Sequence, residues 1–129
     1  MLTFDEAGLM LDEAMAKIPQ ELYHELNGGV VLLPNEKIHP QSIPDFGNLY
    51  IVGEYHNDRK GRGGLGRYIT IYFGSFVRLY DSYPPERQRE EMRKVLVHEL
   101  THHLESLAGE RGLEVQDAID LEKYKRRLR

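Results

Sequence analysis

The sequence predicts an α+β fold, a small sheet with its helices gathered on one face. Three observations predict it. A helical apolar stripe opens the chain, three short β-rich runs fill its middle, and a long helical pattern with no internal break follows them. At 129 residues, 40% hydrophobic and 29% charged, the chain suits one domain spanning residues 1–129, with a single core.

The elements follow in order. Thr3-Phe4-Asp5-Glu6 reads as a capping box, with Glu6 three residues after the capping Thr3. Leu9, Met10, Ala14, Met15 and Ile18 continue it as a helical stripe, and Pro19 ends it. Gln20 to Leu26 predicts a second short helix, closed by Asn27-Gly28-Gly29. Val30 to Leu33 is a first strand, stopped by Pro34. Residues 35–48, broken by Pro40, Pro44 and Gly47, predict an irregular loop. Leu49 to Tyr55 is a second strand, and Asn57 to Gly66 a basic, glycine-rich excursion. Tyr68 to Phe73 is a third strand, rich in β-branched and aromatic residues. Gly74 to Tyr83 carries no decisive pattern; part of it reads as a continuation of that strand. Pro84-Pro85-Glu86 opens a long helix that runs to about Ala108 and stops at Gly109. A last helix spans roughly Glu114 to Leu128.

Composition narrows the chemistry. There is no cysteine, so a disulfide scaffold, a thiolate metal site and a cysteine nucleophile are excluded. Any metal must be held by His, Asp and Glu. Met1 to Leu11 holds two acids and no base, unlike a secretory signal. No run approaches the ~18 apolar residues of a membrane span, and the expectation is a cytoplasmic protein with no membrane partner. The net charge of -4 weighs against a general nucleic-acid role. Bases concentrate in Arg59, Lys60, Arg62 and Arg67, and again in Lys123 to Arg129, where a solvated helix end is the ordinary explanation.

The long helix carries His98-Glu99-Leu100-Thr101-His102. Residues four apart on a helix lie within about 40° of each other, so the two imidazoles can bind one zinc from the same side. Glu99 falls on the flank of that point. From there it can take a proton from a water made acidic by the metal and return it to a leaving group. Met92, Val95, Leu96, Leu100 and Leu107 form the core stripe; His98, His102 and Glu105 form a second stripe beside it. His103 falls near the core stripe and reads as a satisfied buried histidine or a support for the site. A catalytic zinc usually has three protein ligands, and the third here must be a carboxylate or a water. Glu105, Glu110, Glu114, Asp117 and Glu122 are the candidates. Glu105 shares the helix of the two histidines, which limits its reach; a turn before the last helix would bring Glu114 or Asp117 back over the site.

These residues resemble the minimal zincin family of small bacterial proteins. The resemblance begins at Thr3-Phe4-Asp5-Glu6, continues through Ile18-Pro19-Gln20-Glu21-Leu22 and Tyr68-Ile69-Thr70-Ile71-Tyr72, and culminates in Val97-His98-Glu99-Leu100-Thr101-His102-His103-Leu104. It implies a three- to four-stranded sheet packed on an N-terminal helix and the motif helix, with a C-terminal helix beyond. It also implies a zinc metallopeptidase. The family pattern is H-E-x-x-H-x-x-G-x-x-D, with Asp as third ligand. Here Glu105 stands at the Gly position and Ala108 at the Asp position. Gly109 to Asp117 looks like a longer version of the same turn, which makes Asp117 the ligand the resemblance points to. No Met follows Met92, so no Met-turn is present.

Two function classes follow. The first is a zinc-dependent hydrolase of peptides or proteins, with the third strand lining the cleft and its edge pairing with an extended substrate. The alternative is a binding module that keeps the fold with little or no catalysis and engages a protein or nucleic-acid partner through its basic loop and tail. Gly61-Arg62-Gly63-Gly64-Leu65-Gly66 fits G-x-G-x-x-G, but no helix follows it, and a phosphate cradle needs one. Tyr50, Tyr55, Tyr68 and Tyr72 fall on strands and read as sheet-face residues; the sequence does not select one to face the metal.

Overall fold

A computed structural model describes residues 1–40, 49–58 and 66–111. Helix α1 (Phe4–Ala16) starts at the predicted capping box. The Thr3 hydroxyl accepts from the Glu6 N–H at 3.1 Å, and the Glu6 carboxylate accepts from the Thr3 N–H at 2.9 Å. Its buried stripe is Ala7, Met10, Leu11 and Ala14. The predicted second helix is only a 3₁₀ turn, Gln20–Tyr23. Glu25 then turns left-handed, with φ of 62°, a conformation a side chain disfavours and a helix cannot continue through.

Strands β1 (Gly29–Leu33), β2 (Lys37–Ile38), β3 (Tyr50–Ile51), β4 (Gly53–Asp58) and β5 (Gly66–Tyr72) precede α2 (Phe73–Tyr80) and α3 (Pro85–Arg111). β1, β5 and β4 form one sheet in that order, with β1 parallel and β4 antiparallel to β5; β2 and β3 pair separately. Side chains alternate across a strand. Val30, Leu32, Ile69 and Ile71 therefore share the face that packs under α1 and α3 with Phe76, Met92, Leu96, Leu100 and Leu104. Burying each large apolar side chain contributes roughly 1.5–3 kcal/mol. The architecture is α+β, as predicted.

The structure corrects several expectations. Lys37–Ile38, expected in a loop, pairs with Tyr50–Ile51. Residues 73–80 are helix, not a continuation of the third strand. Phe73, Phe76, Val77 and Tyr80 are in fact spaced as a helical stripe, and Phe76 is fully buried. Gly74 fixes the start of this helix: its N–H donates to the Asn35 carbonyl at 3.1 Å, and a Cβ there would lie 2.5 Å from the Glu36 nitrogen. The third predicted strand is β5, and both its edges are paired. It offers no edge to a substrate; among the described strands of this sheet β1 and β4 are the outer ones. α3 also runs through Gly109, the expected stop, to Arg111. The predicted last helix, Glu114 to Leu128, most of the basic loop and the basic tail lie outside the described residues. Among the described residues no helix is long and apolar enough to cross a membrane.

Candidate functional site

His98 and His102 project from the same side of α3, both exposed. Their Nε2 atoms are 3.2 Å apart, on rings set at 89°. Two nitrogens bound tetrahedrally to one zinc at about 2.0–2.1 Å would stand about 3.3–3.4 Å apart. The pair therefore fits two corners of such a site. Glu105 lies 3.9 Å from His102 Nδ1, the ring nitrogen turned away from the shared point. That is where an outer carboxylate orients a metal-binding histidine. Among the described residues no group of three His, Asp or Glu side chains is placed to hold an ion. Glu114, Asp117, Glu122 and the side chain of Glu110 lie outside the described residues.

Glu99 is buried, 7% exposed, on the flank of α3 that faces β4. Gly53 allows this approach: a Cβ there would lie 2.8 Å from Val95 Cγ1 and 3.1 Å from Glu99 Cγ. The ladder alternation places the next partner. The Tyr72 N–H donates to the Val52 carbonyl at 2.7 Å, so Glu54 and His56 bond β5 while Gly53 and Tyr55 turn their backbone groups away from it. The Tyr55 N–H accordingly bonds the Glu99 carboxylate. Burial pushes the Glu99 carboxyl above the ordinary carboxylate range. The His98 and His102 imidazoles pull it back, Glu54 raises it further, and the Tyr55 N–H opposes. A raised carboxyl is what a base working near neutral pH requires.

A groove of about 710 Å³ runs between the two elements, with Ile51, Gly53 and Tyr55 on one wall and His98, Glu99 and His102 on the other. Glu54, also on the groove, is held by Lys37 Nζ at 2.6 Å and by the Tyr72 hydroxyl, which donates at 2.6 Å. Burial pushes Glu54 up, but the Lys37 and Tyr72 bonds outweigh it and its carboxyl falls below the usual value. It stays ionised as a fixed negative wall.

His103 is fully buried, as its position near the core stripe predicts. Its Nε2–H donates to the His24 carbonyl at 2.8 Å, which leaves Nδ1 to accept from the Tyr55 hydroxyl at 2.9 Å. Both bonds suit a neutral ring. Burial lowers the pKa of His103, the bond to His24 opposes, and the charges of Arg67 and His24 lower it further. The sequence reading missed the roles of Gly53 and Tyr55. A glycine inside a strand run was the available signal, since it marks a close backbone approach.

The chain is similar to a solved structure described as a conserved hypothetical protein from Thermo thermophilus. The two are 28% identical with a TM-score of 0.68, and the match covers 84% of this chain and 99% of that one. No protein-family profile and no curated protein matches the chain.

Proposed function

We propose that the protein is a zinc-dependent hydrolase, a metallopeptidase of the minimal zincin kind that cleaves peptide or protein substrates. One observation carries the reading: two imidazole nitrogens converge 3.2 Å apart beside a buried carboxyl held above its ordinary range. His98 and His102 would hold zinc with a third carboxylate, for which the family resemblance points to Asp117. Zinc, when bound, supplies a Lewis acid that acidifies water and polarises a carbonyl. Glu99 takes the proton as general base and delivers it to the leaving nitrogen. An extended substrate pairs with the side of β4 away from β5, where the backbone groups of Gly53 face.

The test is metal analysis and hydrolysis of a mixed fluorogenic peptide library. Wild-type protein is expected to carry about one zinc that His98→Ala loses. Glu99→Gln should retain the metal and lose about 10²–10⁴-fold in rate. Wild-type protein holding no more zinc than His98→Ala would remove the proposal. Cellular function that survives Glu99→Gln but not His98→Ala would assign a metal-stabilised binding role instead.

A further inference from the structure

The proposed chemistry assigns no task to the side chain of Tyr55, although this residue touches both halves of the site. Its N–H bonds the Glu99 carboxylate. Its hydroxyl donates to His103 Nδ1 at 2.9 Å. His103 is anchored in turn by the His24 carbonyl at 2.8 Å, and its ring lies 5.4 Å from that of Tyr55, centroid to centroid. A continuous line of bonds thus runs from the turn after the 3₁₀ helix, through α3, to the phenol and back to the base. A carboxylate bonded to a strand N–H shares that strand's motion. The phenol–imidazole bond ties β4 to the buried interior at the residue that bonds Glu99. Gly53 completes the fit by omitting the Cβ that would push the strand away.

We propose that Tyr55 is a positioning residue: its hydroxyl, seated on buried His103, fixes β4 at this point so that its own N–H holds the Glu99 carboxylate beside His98 and His102. The inference rests on the hydrolase reading, in which Glu99 must be held in one place. A base displaced by about 1 Å loses on the order of a hundredfold in rate, so the effect falls on turnover and leaves the metal ligands alone.

Tyr55→Phe removes the hydroxyl and keeps the ring and the backbone N–H. Two measurements read it. By amide hydrogen exchange, protection of the position-55 N–H is expected to fall about tenfold or more relative to wild type. With zinc-loaded protein and the best-cleaved peptide of the fluorogenic library, kcat is expected to fall about tenfold to hundredfold, with KM and zinc affinity little changed. His103→Leu removes the acceptor instead; it should lower protection at position 55 in the same way and stands in if Tyr55→Phe folds poorly. Unchanged exchange at position 55 overturns the proposal, as does a variant that only melts earlier while its folded fraction keeps the wild-type kcat. Wild-type protein that cleaves no peptide removes the hydrolase reading, and the exchange measurement still decides whether Tyr55 holds Glu99.

Discussion

Glu99 combines two properties that oppose each other at the level of one residue. Its burial lifts the carboxyl above the ordinary value, yet the same burial makes its charged form unfavourable in the fold. The folded pKa lies above the unfolded one, so the folded state binds this proton more tightly. The favourable contribution is complete below the unfolded value of 4.5 and is lost as pH rises through the folded value. Glu99→Gln keeps an oxygen for the Tyr55 N–H and removes the charge. In zinc-free protein it should raise the thermal midpoint at pH 7 and bring little gain at pH 4. Equal gains at both pH values, measured by calorimetry, would show that the charge is not what burial penalises. The cost fits a functional position, where stability is commonly given up for activity.

At the level of elements, the site is a contact between β4 and α3, and Gly53 sets its spacing. Gly53→Ala places a methyl group 2.8 Å from Val95 and 3.1 Å from Glu99. The strand or helix must shift, at a cost of about 1–3 kcal/mol, readable as a lower midpoint in urea unfolding; no loss would mean that the contact yields freely. The sequence distinguished these elements unevenly. α3 was plain from its unbroken helical period and its proline opening. The outer position of β4 has a trace in the sequence: Gly53-Glu54-Tyr55-His56-Asn57-Asp58 is polar, as an edge tolerates. Tyr68-Ile69-Thr70-Ile71-Tyr72 is the continuous β-rich run of an inner strand. α2 was hidden because Phe73, Phe76, Val77 and Tyr80 also suit a strand. The close approach of Gly74 to Asn35 is a tertiary contact that no local pattern encodes.

For the molecule as a whole, the α+β class and the helix bearing His98, Glu99 and His102 were legible because they rest on local spacing. The surroundings of Glu99 were not, since they depend on β4 meeting α3 across a long stretch of chain. Zinc should stabilise the folded protein by mass action, by about 2.7 kcal/mol at a hundredfold excess over its Kd. A thermal midpoint that rises with zinc, falls back with EDTA and does not respond in His98→Ala is the expected result; a midpoint indifferent to zinc would count against the site. The two imidazoles meet across a single helical turn, whereas the base owes its burial to a neighbouring strand. Partial loosening of the sheet would therefore leave the ion holder assembled while water reaches Glu99 and returns it to an ordinary acid. On the hydrolase reading, a purified sample would in this way keep its metal and still lose its activity, so storage and assay conditions would be better judged by the state of β4 than by zinc content.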